Sequence, residues 1–348
     1  MAQFWVNEKS YNADGNTKLI DFLRDELRLT SVKNGCKEGA CGACMVIIEG
    51  KAQRACLQKL SNLNGKHIIT VEGLSKREKD VYSYAFASMG AVQCGFCTPG
   101  MVISAKALLD TNLNPSINDI KRAIKSNICR CTGYKKIEQA ILLASKIFRG
   151  EADIEESDDS GMGAGMRRVD AVDKALGEAK YADDLYLNGM LHASAVRSSY
   201  PRARVLSIDA SEALSIPGVV AVLTADDIPG AKKIGHLVQD WDVLIPVGGI
   251  THYLGDAIAL VVADDREALA KAKACVKIEY EELKGVFSPI DALAEDAPKL
   301  HENGNILSRE HLVRGDADEV IKQSAHVVTE RYSVPFTEHA FLEPECAV

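Results

Sequence analysis

Eight of the ten cysteines fall between residues 36 and 131, in two sets of four. Cys36, Cys41, Cys44 and Cys56 follow C-x4-C-x2-C-x11-C, and Cys94, Cys97, Cys129 and Cys131 follow C-x2-C-x31-C-x-C. Four thiolates complete one [2Fe–2S] cluster, so the spacing predicts two clusters and an electron relay. A tetrahedral zinc ion is the rival for the second set, because C-x2-C plus two further cysteines also suits zinc. The C-x-C pair and the neighbouring first set weigh toward iron. Cys275 and Cys346 stand apart; helix packing is expected for Cys275, and Cys346 has no assigned role.

The elements around these cysteines must aim them. The loop Asn34–Cys44 has to curl tightly, and Gly35, Gly39 and Gly42 allow backbone angles that side chains forbid. Such a loop turns N–H groups toward sulfur, which offsets the negative charge of a cluster. Cys56 returns to the same place after a Glu49-Gly50 hairpin. In the second set, Gln93–Gly100 leads into a helix and Asn127–Tyr134 joins the next two. Two helix N-termini then lie near the second cluster. Thr98-Pro99 predicts a helix start with a capping hydroxyl, and Ser116 with Asp119 predicts a capping box.

The fold class expected is α+β and multidomain. Residues 1–75 read as a small sheet with strands at Phe4–Val6, Met45–Ile48, Lys51–Ala55 and His67–Val71. Leu19, Ile20, Leu23 and Leu27 recur at helical spacing across one face of it. Residues 76–150 read as a four-helix bundle. Residues 151–167, acidic and glycine-rich, cannot build a core and read as a linker. Gly161, Gly163 and Gly165 do not make a dinucleotide loop, since no strand precedes them. Residues 168–299 read as α/β, with strands at Leu191–Val196, Val219–Leu223, Ile258–Val262 and Val276–Tyr280 and a helix at Ala268–Cys275. A further domain starts near 300 and breaks off at Val348 in an apolar, strand-like stretch.

Composition bounds the rest. At 348 residues, 47% hydrophobic and 26% charged, the chain has material for several cores. A net charge of -8 gives no reason to expect nucleic acid or an anionic membrane surface as a partner. The N-terminus lacks a signal-peptide pattern and no long apolar run spans a membrane, so a cytoplasmic location is expected. There, clustered cysteines point to metal rather than disulfides.

Cys36–Cys44, Gln93–Met101 (QCGFCTPGM) and Cys129–Tyr134 (CRCTGY) together closely resemble the molybdenum hydroxylases, the xanthine dehydrogenase and aldehyde oxidoreductase family. In detail the likeness is strongest to bacterial single-chain xanthine dehydrogenases, including selenium-dependent ones. The resemblance implies a β-grasp [2Fe–2S] domain at 1–75, a helical [2Fe–2S] domain at 76–150 and an α/β hammerhead domain at 168–299. It also implies the opening of a molybdopterin-binding domain at 300–348. Gly177–Asp184 looks like the first motif of the molybdenum portion, Leu254–Ala263 like its hammerhead, and Pro335–Glu345 like the start of its cofactor region.

The implied reaction hydroxylates an electron-poor carbon of a purine or related N-heterocycle, or of an aldehyde, with oxygen from water. The implied cofactor is a molybdenum pterin, expected as the cytosine dinucleotide. Its electrons would pass first to the cluster on Cys94, Cys97, Cys129 and Cys131, then to that on Cys36, Cys41, Cys44 and Cys56. Gln93 matches a glutamine that hydrogen-bonds the pterin, and Cys131 may be counted beside it as a pterin neighbour. Thr337 falls where xanthine-oxidising relatives carry glutamine near the metal, a departure that leaves the substrate open. His339 and Glu343 are candidates to line the active site or to serve in packing, while His192 and His252 read as structural. The family's catalytic glutamate is expected beyond Val348, which reads the chain as a fragment. No flavin domain fits between 150 and 168, so electrons would leave to an external acceptor or a flavoprotein subunit; a homodimer is compatible with this scheme. The alternative is a stand-alone electron-transfer subunit of an aldehyde or CO dehydrogenase-type complex.

Overall fold

Phe4 and Val6 share one face of β1 (Ala2–Val6) and are buried, while Gln3 on the other face is exposed. That period-two pattern makes β1 a sheet strand with one face on a core. It pairs antiparallel with β2 (Lys9–Ala13) through the turn at Asn7-Glu8, where both residues adopt positive φ. The N-terminal sheet adds β3 (Met45–Ile48), β4 (Lys51–Arg54) and β5 (His67–Ile69), in the order β2-β1-β5-β3-β4. β5 runs parallel to β1 and antiparallel to β3. Across its face lies α1 (Leu19–Asp21), which widens into a π-helical turn over Phe22–Glu26 and buries Leu19, Ile20, Phe22 and Leu23.

This is a computed structural model, described for residues 1–155, 161–163 and 165–348; of the expected linker, 156–160 and 164 lie outside the described residues. Four helices follow the sheet: α2 (Lys76–Ser88), α3 (Thr98–Leu109), α4 (Ile117–Ile124) and α5 (Lys135–Phe148). Ser116 and Asp119 close the expected capping box on α4, and Ser75 with Glu78 closes another on α2. The expected Thr98 cap is corrected: Cys97 occupies the cap position, Thr98 is the first helical residue, and no side chain caps the start. Proline 99 supplies the preset backbone there. Tyr82, Phe86, Met101, Ile120, Ile137 and Ile141 fill the bundle core.

The chain divides into two compact units, Met1–Leu185 with Ser333–Val348, and Tyr186–Tyr332. Residues 168–185, expected with the hammerhead, therefore fold with the cysteine-bearing unit, where α6 (Ala171–Leu176) packs on α2 and α3. In the second unit, β6 (His192–Arg197), β8 (Val219–Leu223) and β11 (Ala257–Ala263) form an antiparallel sheet in the order β6-β11-β8, after β7 (Ala203–Asp209) and α7 (Ser211–Leu214) have been laid down. α8 (Arg266–Cys275) packs on that sheet, burying Ala268 and Ala272. β7 pairs with β12 (Lys277–Glu282), and two short strands, β9 (Lys233–Ile234) and β10 (Trp241–Asp242), form a separate ribbon. The apolar, strand-like stretch expected to run to Val348 forms no strand among the described residues. Val327, Val328, Val334 and Phe336 stand exposed.

Candidate metal centres

The first quartet gathers on one loop and one hairpin return. Cys41, Cys44 and Cys56 are buried and Cys36 is half-buried. Cys56 sits in the turn after β4, drawn in by the Ala55 N–H bond to the Cys44 carbonyl at 3.0 Å. Sulfur meets backbone donors here: Glu38 and Cys41 N–H reach Cys36 Sγ at 3.5 and 3.4 Å, and Ala43 N–H reaches Cys41 Sγ at 3.5 Å. Gly39 and Gly42 have φ of +81° and +69°, as the tight loop requires. Gly35 is needed for closeness instead, since a Cβ there would stand 3.0 Å from Cys41 Sγ.

Electrostatics separate the four sulfurs. Burial raises the Cys36 thiol, but the Cys41 and Glu38 N–H groups outweigh it and bring it down to about 7. Burial pushes Cys41 up to about 11 and Cys44 up to about 12. Neighbouring thiols push the same way, Cys36 and Cys56 on Cys41, and Cys56 and Cys41 on Cys44.

The second quartet sits at the start of α3 and on the loop before α5. Cys94 bonds Cys131, and Cys97, at the cap of α3, bonds Cys129. The bond to Cys129 raises Cys97 well above the usual thiol range, with burial adding to it. The same bond draws Cys129 down to about 5 against its burial, helped by the Thr132 hydroxyl at 3.1 Å. Tyr134 holds the loop shape: its hydroxyl accepts from Cys129 N–H at 2.9 Å and donates to the Asn127 carbonyl at 3.3 Å.

This arrangement tests which metal the donors fit. Each quartet offers four sulfur donors. Tetrahedral zinc needs four donors around one point. A [2Fe–2S] cluster needs two thiolates on each of two irons, a number that four cysteines per site supply.

The two quartets share a wall. Ile128 N–H donates to the Cys41 carbonyl at 2.8 Å, and Asn127 Nδ2 donates to the Gly42 carbonyl at 3.1 Å. Ser104 Oγ fixes the Asn127 amide from behind at 2.7 Å. Phe96 fills the space between, edge-on to Tyr181 at 5.3 Å, and Tyr181 OH donates to the Cys94 carbonyl at 2.8 Å. Over the Tyr181 ring, 4.5 Å from its centre, sits the fully buried Lys33 ammonium. Tyr181 and Asp184 belong to the motif first read as molybdenum portion, so their motif was visible but their neighbours were not.

The remaining candidates are less gathered. Gln93 is exposed beside Cys94, with its carbonyl accepting from Lys174 Nζ at 3.2 Å. Cys131 is half-buried in the second quartet. Thr337 is exposed and its hydroxyl turns back to the Pro335 carbonyl at 3.3 Å. His339 is exposed, and Glu343 is half-buried. In the second unit His192 begins β6, whereas His252 is less isolated than its spacing implied. It stacks on His301 at 5.8 Å, and its Nδ1 lies 3.4 Å from Asp256, which raises its pKa against burial. Both rings line a cavity of about 830 Å³ that Trp241 also borders.

Comparison with known proteins adds the family. Residues 7–81 match the model of a 2Fe-2S iron-sulfur cluster binding domain and 70–142 that of a [2Fe-2S] binding domain. Residues 176–284 match the aldehyde oxidase and xanthine dehydrogenase a/b hammerhead domain. The nicotinate dehydrogenase small FeS subunit of Eubacterium barkeri is 45% identical over 39% of this chain and 87% of its own length. This chain belongs to the molybdenum hydroxylase family. The aldehyde oxidoreductase of Megalodesulfovibrio gigas is 37% identical over 98% of this chain and 40% of its own length. The solved aldehyde oxidoreductase from Desulfovibrio gigas superposes with a TM-score of 0.80 at 36% identity, over 87% of this chain and 36% of that one. The chain therefore spans about 40% of the full-length molybdenum hydroxylase it matches, and holds the family's N-terminal architecture of two iron–sulfur domains and a hammerhead.

Proposed function

We propose that Cys36 and Cys41 share one iron and Cys44 and Cys56 the other of a first [2Fe–2S] cluster, while Cys94 with Cys131 and Cys97 with Cys129 hold a second. The observation that carries this reading is the gathering of four cysteines at each site, on the tight Asn34–Cys44 loop with the turn after β4, and at the start of α3 with the loop before α5. Bound there, the clusters supply one-electron steps between a two-electron oxidation and an outside acceptor. The protein's part is positional. Ile128 N–H on the Cys41 carbonyl gives a short bonded route from one quartet to the other. Buried Phe96 and Tyr181 keep water from the space between them.

In the complete enzyme the chain serves hydroxylation at molybdenum, with a purine or related N-heterocycle as substrate. The exposed Gln93 amide, next to the second quartet, suits the edge of a pterin because it can both donate and accept. Cys131, half-buried in the second quartet, serves in this reading as a second pterin neighbour, and Thr337 as a residue of the cofactor region. A second reading, an aldehyde substrate, is favoured by the likeness to the M. gigas aldehyde oxidoreductase along 98% of this chain. Electrons leave from the first quartet, whose Cys36 is the more accessible sulfur, to a separate flavoprotein or soluble acceptor in the cytoplasm.

Iron and sulfide analysis with electron paramagnetic resonance tests the relay. About four irons per chain and two distinct signals are expected, with Cys97→Ser removing one and Cys41→Ser the other. Either substitution leaving both signals intact would overturn the ligand assignment. Turnover of the full-length gene product on a panel of purines and aldehydes decides between the two substrate classes.

A further inference from the structure

Lys33 stands three residues ahead of Cys36, and its side chain is fully buried. Its backbone N–H donates to the Ala43 carbonyl at 3.3 Å, which seats it against the first cysteine loop. The ammonium meets Asp184 Oδ2 and stands over two rings, 4.5 Å from the centre of Tyr181 and 5.9 Å from that of Phe96. A carboxylate and two π faces are the surroundings of a cation, not of a neutral amine. Both rings reach the second quartet: Phe96 lies between Cys94 and Cys97 in the chain, and Tyr181 OH holds the Cys94 carbonyl at 2.8 Å. Phe96 reaches the first quartet as well. Its Cε1 and the Cys41 sulfur face the same side of Gly35, 3.6 and 3.0 Å from where a Cβ would stand. Cys36, Cys41, Cys94, Phe96 and Tyr181 accordingly belong to one apolar cluster.

We propose that the Lys33 ammonium, held in the wall between the two quartets, raises the reduction potential of both clusters. The inference rests on the reading in which the eight cysteines hold iron. One-electron reduction adds one negative charge to a cluster, and net charge is among the terms that set its potential. A fixed cation in a water-excluded wall favours the more negative state. Asp184 does not cancel that effect alone, because Arg24 shares it at 2.9 Å and also meets Asp183 at 3.2 Å. Two cations balance two carboxylates here, and removing Lys33 leaves the wall one charge more negative. A unit charge about 10 Å away, at an effective dielectric of about 20, shifts an equilibrium on the order of tenfold.

The relevant experiment is a dithionite titration followed by paramagnetic resonance on the cluster-bearing chain, with Cys97→Ser marking the second-quartet signal. Lys33→Met removes the charge and keeps much of the volume, and Arg24 still pairs with the Asp184 carboxylate left behind. Both signals are expected to titrate lower. At a fixed potential the ratio of reduced to oxidised cluster falls about tenfold, which is about 59 mV for one electron. Lys33→Gln keeps a donor for Asp184 without the charge; it gives the same shift and carries the test if Lys33→Met does not assemble. Unchanged potentials in a neutral variant overturn the inference whatever the iron content, because a packing role would lower occupancy and leave the potentials in place. A shift confined to one signal overturns it too, since a charge in the shared wall must reach both. Iron-free protein from both neutral variants would make Lys33 a residue of assembly and end the proposal. If the unsubstituted chain itself shows no iron signal, the cluster reading has failed, and the inference with it.

Discussion

Lys33 Nζ lies 2.5 Å from Asp184 Oδ2, with the two side chains 0% and 2% exposed. Arg24 joins them, reaching Asp184 Oδ1 at 2.9 Å and the Val32 carbonyl at 2.9 Å. Burial pulls the Lys33 pKa down, and Asp184 is what works against that. A residue far along the chain thus neutralises a cation set between the two cysteine quartets. Segment 181–184 is in this way locked to the iron–sulfur unit.

Asp184→Asn leaves Lys33 buried without its counter-charge. Removing one partner of a buried pair costs about 3–5 kcal/mol, so a marked fall in the urea midpoint is expected for the unit that holds the cysteines. A change under 1 kcal/mol (about the worth of an exposed pair) would show that Lys33 is not held in this way.

Gly42 is the point where the two cysteine loops touch. Its φ is +69°, and a Cβ there would stand 2.1 Å from the Ser126 carbonyl oxygen. Gly42→Ala must push the 126–128 segment away and weaken the Ile128 bond to Cys41. The expected outcome is a loss of about 2 kcal/mol or more and a weaker magnetic coupling between the two cluster signals. Normal stability and coupling in the variant would refute the shared wall.

Glu78 caps α2 through Ser75 and binds Lys106 at 2.5 Å. Burial raises its pKa, but the Lys106 and Ser75 bonds outweigh it and hold the carboxyl below the usual value. A lowered folded-state pKa means stability that is present above the unfolded pKa and lost as pH falls through the folded one. Glu78→Gln should therefore cost about 1 kcal/mol near neutrality, a gap that closes in acid below the ordinary glutamate range. A pH-independent gap in thermal unfolding would remove the charge from the explanation.

Iron removal should separate the two units. Metal binding that exists only in the folded state is folding free energy. Stripping iron by chelation under reducing conditions is expected to lower the unfolding temperature of the unit containing 1–185. The unit 186–332 holds neither quartet and should keep its transition. Calorimetry in which both transitions move together would contradict this division.

Local pattern made much of the cysteine-bearing unit legible. Serine with an acid three positions on marks the start of α4, and glycine between cysteines marks a loop that must curl. β2 was missed because KSYNA is a polar edge strand whose pairing with β1 supplies what its side chains lack. β7 was missed too, for its partner β12 lies some seventy residues on.

By itself, the sequence determined the cysteine sets, the helical bundle and the chemistry open to eight sulfurs, because ligand spacing and helix periodicity are properties of neighbours along a chain. Tertiary structure alone decided that Tyr181–Asp184 folds onto the iron–sulfur unit and that Arg130 clasps residues 338 and 339. Those contacts join residues up to 209 positions apart. Packing and burial select them, and neither leaves a period in the sequence to be read.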